Sequence, residues 1–234
     1  MTRRRFLARL GSASAAGLAA GLLTGCGGPV YNLRFRLTVE VQTPEGVKSG
    51  SSVIDMQVQD DTKVSYYPME ARLFRRSLSG EAMFVDLGSG RHVIGLLDFS
   101  DEIVERVYGL QPAEQYARYR AMKGVREIPA RTDLSMPLLR PTIVTFKDLA
   151  DPASAVVIFA DSSYTRFAVD RFAEAFGPGY ALKRVTIEMT ADPVTRGIEG
   201  KLPHIIQKLD QDRKVFRTFG PNDPYLPQLG QFRR

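Results

Sequence analysis

The residue types most often used for acid–base and metal chemistry are scarce in this chain. Its 234 residues include two histidines, His92 and His204, and one cysteine, Cys26. The histidines lie far apart in sequence, and no His-x-x-His or Cys-x-x-Cys pair supplies the ligand spacing of a zinc site. The sequence also lacks a nucleophile elbow, a phosphate loop and a dinucleotide-binding motif. It therefore predicts no metal and no cofactor, and each histidine is either a general base or a surface or partly packed imidazole.

Carboxylates gather in two places, Asp60-Asp61 and Asp98 with Asp101-Glu102. Paired carboxylates can hydrolyse a glycosidic bond or bind calcium, although no Asp-x-Asp-x-Asp spacing supports calcium here. The alternative is a solvated loop for the first pair and a helix N-terminus for the second group. Asp98 with His92 or His204 is thus the candidate catalytic set for a hydrolase.

Two groups of cationic side chains could face a membrane or a ligand. One group mixes aromatic and basic residues: Tyr116, Arg118, Tyr119 and Arg120. Stacking combined with cation contacts suits a glycan or an anionic headgroup. The alternative is a helix whose tyrosines pack and whose cations are solvated. The other group is Arg34 and Arg36, close to the start of the body.

The first 25 residues have the plan of an export signal. Four arginines come first, and residues 10–23 contain only Gly, Ser, Ala and Leu. This apolar stretch is shorter than the ~20 residues of a membrane-spanning helix. A basic start, a short apolar segment and a small-residue cleavage site are typical of a cleaved signal peptide.

The leader resembles two known signals. Thr2-Arg3-Arg4-Arg5-Phe6-Leu7 resembles the twin-arginine export motif, with Arg3 and Arg4 as its arginine pair. Leu23-Thr24-Gly25-Cys26 resembles the bacterial lipobox, whose cysteine is acylated and becomes the mature N-terminus. The alternatives are the general export route and an ordinary secretory signal with a stray cysteine.

The lipobox resemblance implies a bacterial lipoprotein of the cell envelope. It would carry lipid such as palmitate on Cys26 and face the periplasm from the inner or outer membrane. Acylation would use the lone thiol, leaving none for a disulfide, a metal site or a nucleophile. Cleavage after residue 25 would leave 28 basic against 26 acidic residues, so the net charge would be +2 rather than +6. The basicity of the full chain is therefore no sign of a nucleic-acid partner.

The body begins with a clear hairpin. Residues 31–42 alternate apolar and polar types, which predicts a half-buried strand. Thr43-Pro44-Glu45-Gly46 is a turn sequence, and residues 54–59 alternate again as the second strand. Residues 60–80 are rich in charge and lack a period, which predicts a loop. A second hairpin is expected at 82–99 around Gly88-Ser89-Gly90, with strands buried on both faces.

The remaining elements are mixed. Ser100 should cap a helix over 101–108 that ends at Gly109. Helices are also expected at 112–122, at 166–176 capped by Thr165, and at 203–209, and 134–141 is expected to be irregular. Strands are expected at 142–146, 155–160 and 183–189. This order predicts an α+β fold with a mainly antiparallel sheet of about six or seven strands and about three short helices.

The predicted domain plan has four parts. Residues 1–25 are a cleaved signal, 26–30 a lipidated N-terminus and short tether, and 31–218 a single globular domain. Residues 219–234 are a proline-rich tail, expected to be extended or disordered.

The segment 37–55 resembles uncharacterised bacterial lipoproteins, and the similarity extends to Phe176-Gly-Pro-Gly and Asp192-Pro-Val-Thr. The resemblance implies a shared fold and brings no activity with it. The first functional hypothesis is a non-enzymatic protein that binds an envelope protein, glycan or lipid at the membrane. The alternatives are a lipid-anchored periplasmic hydrolase using carboxylates and a histidine, and a cofactor protein, suggested only by the export route.

Overall fold

Two antiparallel sheets of five strands each form the body of the computed structural model, which describes residues 30–66, 69–97, 100–109, 122–130, 140–161, 169–211 and 229–233. The first sheet has the order β3-β2-β1-β10-β6, with β1 Val30–Thr43, β2 Gly46–Tyr66, β3 Met69–Ser79, β6 Arg126–Glu127 and β10 Ala181–Met189. The second has the order β4-β5-β7-β8-β9, with β4 Met83–Gly88, β5 Arg91–Gly95, β7 Ile143–Phe146, β8 Ala155–Ala160 and β9 Val169–Asp170.

The helices are short. They are α1 Ser100–Tyr108, α2 Phe172–Phe176, α3 Ile198–Lys201, α4 Pro203–Gln211 and α5 Leu229–Phe232, with a 3₁₀ turn at Pro152–Ser154. The predicted α+β class and the dominance of antiparallel pairing are confirmed.

The first hairpin is confirmed in detail. Leu33, Phe35, Leu37, Val39 and Val41 are all buried on one face of β1, as the alternation predicts. A two-residue loop connects β1 to β2. Thr43 pairs with Gly46 across this turn, and Gly46 has φ +118°. On its other side β1 pairs with β10, a strand about 150 residues later in the chain, where Phe35 opposes Met189.

The two sheets pack face to face around the main core. At Gly50 in β2 the backbone runs so close to β4 that a Cβ would lie 2.1 Å from the Phe84 carbonyl oxygen. A Cβ at Gly95 would lie 3.1 Å from a Val39 methyl group across the interface. Gly50 therefore lies where two strands leave no room for a side chain, and Gly95 lies where a side chain would press against its neighbours.

The outer face of the second sheet is covered by the C-terminal helices. The apolar side chains of these helices pack on Ile94, Leu96, Val144 and Phe146. They are Ile198, Leu202, Ile205, Ile206, Leu209 and Phe232. Strand β7 is consequently buried at every position. The prediction that the second hairpin consists of central strands covered on both faces is confirmed for β5. It is wrong for β4, which lies at the edge of the sheet and alternates between buried and more exposed positions.

Helix α1 matches its prediction. Ile103 and Val104 are fully buried, Val107 packs beside them, and Gly109 ends the helix with φ +71°. The strands predicted at 142–146, 155–160 and 183–189 and the helix at 203–209 are also present, within about two residues at their ends.

The prediction of a loop at 60–80 is wrong. Strand β2 continues to Tyr66, and β3 returns from Met69 to Ser79 as its antiparallel partner. The register shifts between Asp61 and Val64, where β2 has one extra residue. A bulge changes which face each residue joins, so the period of two that signals a strand is lost although the backbone pairing continues.

The helix predicted at 166–176 is wrong in part. Val169 and Asp170 form a strand with β8 instead of a helix, and α2 begins only at Phe172. The predicted end at Phe176 is confirmed, and Gly177 and Gly179 after it both have positive φ.

The end of the predicted extended tail is ordered. Residues 229–232 form α5, and Phe232 is fully buried against Phe146. The Phe232 and Gln231 carbonyls accept hydrogen bonds from Ala82 and Leu97 at 2.8 and 2.9 Å. Burial of the apolar Phe232 side chain in the core under the helices stabilises an ordered C-terminus despite the nearby prolines.

Several predictions lie outside the described residues. These are the leader and tether before residue 30, most of the helix at 112–122, most of the irregular stretch at 134–141, the Thr165 cap and residues 219–228.

Candidate functional site

His92 is buried in the second sheet, with 6% of its surface exposed. Its ring stacks on Phe84 of the neighbouring strand, with centroids 5.6 Å apart and planes 7° from parallel. Lys201 of α3 places its ammonium 5.0 Å from the centre of the Phe84 ring. The imidazole thus belongs to the layer between the sheet and the C-terminal helices.

The polar atoms of His92 have few partners. Nδ1 lies 3.4 Å from the Gly90 carbonyl oxygen, and Nε2 is buried with no hydrogen-bond partner among the described residues. Burial lowers the pKa of His92, against weaker opposing effects of the Gly90 carbonyl and the Asp86 carboxylate. A low pKa keeps the ring neutral, but a general base must also reach its substrate. The structure favours a packed imidazole over a base.

The other catalytic candidates do not join His92. His204 lies on the exposed side of α4, and Asp98 lies outside the described residues. Asp60 and Asp61 fall within β2, opposite Phe74 and Leu73, rather than in a loop. Across the described ranges, no three His, Cys, Asp or Glu residues are grouped so that they could hold a metal ion.

Arg34 and Arg36 lie on the outer face of the first sheet, where both are paired with carboxylates. The Arg34 Nε lies 3.2 Å from an Asp55 oxygen on β2. Arg36 Nη1 donates to Glu188 of β10 at 2.5 Å, and its other terminal nitrogen bonds to Asp192. We call these five residues the paired-charge cluster.

The face continues in the same way toward the first turn. Glu40 accepts a hydrogen bond from Arg184 at 2.7 Å, and the Lys183 ammonium lies 3.8 Å from the same carboxylate. With the paired-charge cluster, this gives four cations and four anions on neighbouring strands and on the segment that follows β10. The arginines are therefore committed to protein carboxylates, and an anionic ligand would have to compete for them.

The segment Asp192-Pro-Val-Thr links the cluster to the sheet edge. Asp192 pairs with Arg36, and three residues later Thr195 exchanges hydrogen bonds with the backbone of Val53. The Val53 amide donates to Thr195 Oγ1 at 2.8 Å, and the Thr195 amide donates to the Val53 carbonyl at 3.1 Å. These contacts close the edge of β2 beyond the end of β3, so the segment has a structural role.

Tyr116, Arg118, Tyr119 and Arg120 lie outside the described residues. The next basic residue of that region with a described contact is Arg126, whose guanidinium lies 4.5 Å from the ring centre of Tyr108. Burial raises the pKa of the Tyr108 hydroxyl, and the Arg126 charge opposes this effect. The contact between Tyr108 and Arg126 lies at the C-terminal end of α1, where Tyr108 packs against the core.

Sequence reasoning missed the carboxylate partners of the two arginines. The alternation of β1 and β10 places Arg36 and Glu188 on polar faces, which is a usable signal. The pairing of strands about 150 residues apart is not visible in either pattern. The Phe84–His92 stack could be predicted more readily from the sequence, because the predicted second hairpin already places the two strands side by side.

Comparisons with protein-family models, with curated proteins and with solved structures found no significant match to this chain. Within the described ranges, none of the helices is both long and apolar enough to cross a membrane.

Proposed function

We propose that this chain is a lipid-anchored lipoprotein of the bacterial envelope, held to the membrane through Cys26, with a body that acts by binding and not by catalysis. The observation that carries the proposal is the position of the only cysteine. Cys26 closes a basic-then-apolar leader in the sequence Leu23-Thr24-Gly25-Cys26, four residues before the first residue of β1. A lipidated cysteine is expected at such a junction.

The short connection supports a body that works at the membrane surface. Four residue steps separate Cys26 from Val30, and a fully extended chain covers ~14 Å over that number of steps. More than one acyl chain on the cysteine gives stable anchoring, since each buried methylene contributes ~0.8 kcal/mol. The protein would therefore meet partners only within the layer next to its own membrane.

The described side chains support binding over catalysis. The buried His92 is stacked on Phe84, and His204 stands exposed on a separate element. The cations of the outer face are matched by carboxylates, which favours a structural or protein-facing surface over a strong anion site. A protein, glycan or lipid of the envelope is the class of partner that fits this location.

The test compares wild type with Cys26→Ser in membrane and soluble fractions of a bacterial host. Wild type should fractionate with membranes and give a mature mass that includes acyl chains. Cys26→Ser should lose the lipid mass and leave the membrane fraction. Ser12→Ala, which changes the apolar segment and keeps the lipobox, is the matched control and should behave as wild type. A wild-type protein without lipid on residue 26 would refute the proposal.

A further inference from the structure

Strand β2 has an open edge over its first residues. Strand β3 pairs with β2 only from Asp55 onward, where Asp55 opposes Ser79. Between the turn and that point, the exchange of hydrogen bonds between Val53 and Thr195 is the only pairing that the described residues make with this edge. The backbone of residues 47–51, ~16 Å long, therefore has a neighbouring strand on one side only. We call residues 47–51 the open edge.

The alternation of backbone groups along β2 shows which of them are available. Thr43 and Gly46 pair across the turn, so every second residue from Gly46 onward bonds to β1. The residues between them point their N–H and C=O groups away from β1, as Val53 does. Ser49 and Ser51 belong to this second set, and no described backbone group bonds to them on that side. Their side chains are small and exposed, so the donors and acceptors of the open edge can be reached from solvent.

The open edge has one feature that limits which strands can join it. Free sheet edges pair readily with another strand unless proline, a bulge or a charge prevents it. Residues 46–54 contain no proline and pair with β1 in an unbroken register, and Lys48 is their one charged residue. Lys48 lies opposite Val41, on the inner side of the strand. Its charge would disfavour a neutral or basic strand and favour one that brings a carboxylate.

Two further cations lie beside the open edge. Arg196 donates a hydrogen bond to the Ser79 hydroxyl at 2.8 Å, where β3 ends. The Lys201 ammonium lies 5.0 Å from the ring centre of Phe84, a residue of the strand that crosses β2 at its middle glycine. Within the described part of the chain, neither these two cations nor Lys48 has a carboxylate partner.

This arrangement differs from the outer face of the first sheet, where four cations are matched by four anions. Unmatched positive charge attracts a partner of the opposite sign and repels one of the same sign. The open edge therefore combines backbone groups that suit an extended chain with side chains that suit an acidic one.

We propose that the open edge of β2 binds an extended acidic segment of an envelope protein by strand addition. The added segment hydrogen-bonds to the backbone of Ser49 and Ser51, and its carboxylates meet Lys48 and the cations beside it. Main-chain bonds supply affinity, and the cations select among partners. The inference rests on the proposal that the body acts by binding, and it names the chemistry of the partner. It does not depend on the lipid anchor.

A peptide of defined sequence tests the strand addition. The probe is fluorescein-labelled Thr-Glu-Val-Glu-Val-Glu-Thr, and its counterpart has lysine in place of each glutamate. Binding to the full lipidated protein in nonionic detergent is followed by fluorescence anisotropy at low salt. The acidic peptide should bind with a Kd below about 100 μM, and the basic peptide about tenfold more weakly or worse. No binding of the acidic peptide at ~1 mM, or equal binding of the two peptides, overturns the inference.

Ser49→Pro separates backbone pairing from attraction by charge. It removes an N–H group that the fold leaves unbonded, and proline is tolerated at such a position of an edge strand. Binding of the acidic peptide should weaken about tenfold while the urea midpoint stays close to wild type. Ser49→Ala, which keeps the N–H group, is the matched control and should bind as wild type. Undiminished binding by Ser49→Pro overturns strand addition.

Charge reversal provides a second test that does not need proline in the strand. Lys48→Glu should transfer the preference to the basic peptide. Lys147→Glu makes the same change at an exposed residue directly after β7 and should leave the preference for the acidic peptide unchanged. An unaltered preference in Lys48→Glu overturns the inference. A protein that binds the acidic peptide but carries no lipid on Cys26 overturns the anchor alone and leaves the open edge standing.

Discussion

Substituting Gly50 with alanine tests the contact on which the two-sheet arrangement depends. The added Cβ would lie 2.1 Å from the Phe84 carbonyl oxygen, 2.7 Å from its carbonyl carbon and 3.0 Å from a Val85 methyl group. The two closest atoms belong to the backbone, so no rotamer change can relieve the clash. Restoring an ordinary separation of about 3.4 Å requires β2 and β4 to part by over 1 Å locally.

The expected cost is at the upper end of the range for overpacked cores, about 3 kcal/mol in the free energy of unfolding. That is a large share of the 5–15 kcal/mol typical of a folded domain. Urea unfolding of the secreted Cys26→Ser protein, followed by far-ultraviolet circular dichroism, should show the midpoint falling by about 1 M. The slope should stay unchanged, because the surface exposed on unfolding is nearly the same.

Gly200→Ala is the matched control. Gly200 lies in α3, and a Cβ there meets no atom within 4 Å. Alanine is favoured over glycine inside a helix by up to ~1 kcal/mol, so this variant should be neutral or more stable. If Gly50→Ala stays within about 0.5 kcal/mol of its parent, the sheets do not approach at this point and the reasoning fails.

Two other predictions concern the layer over the second sheet. Phe232→Ala should lower the free energy of unfolding by about 3–5 kcal/mol because the side chain is fully buried. Gly230→Ala in the same helix is the control and should change it little. Similar urea midpoints for the two variants would contradict the docking of the C-terminus. Because burial lowers the pKa of His92, the unfolded chain binds that proton more readily, and stability should fall as pH drops below about 6.5, by at most ~1.4 kcal/mol per unit. His92→Gln should flatten this slope between about pH 6.5 and 5 and His204→Gln should not, as measured by urea midpoints; equal slopes in all three proteins would contradict the assignment.

Local sequence patterns predicted those elements in which each face has the same environment along its whole length. The alternation of β1 was sufficient because one of its faces is buried throughout and the other is polar. Helix α1 was recognisable from its apolar stripe and from Gly109, which follows its last residue. The extension of β2 was missed because the bulge near Asp61 interrupts the period, and α5 was missed because its stability comes from a distant core.

The candidate site shows the same division. The near-continuous apolar run around His92 predicted burial on both faces, and burial of the ring follows from it, although the residue type alone suggested a surface position. The pairing of Arg36 with Glu188 and Asp192 depends on strand order, whereas Arg34 and Asp55 lie opposite each other in the first hairpin. Neighbouring strands joined by a turn can be inferred from sequence, whereas the placement of β10 beside β1 follows from packing of the whole sheet.

The position of β1 between β2 and β10 determines how the body would respond to mechanical force. A pull applied through residue 26 would enter the fold at Val30 and act along the axis of β1. The hydrogen bonds of both ladders run across that axis, so they would be loaded in shear and would have to break together. A strand at the sheet edge, peeled from its end, would instead release its bonds one by one. The proposed membrane attachment at this terminus would therefore load the sheet in shear.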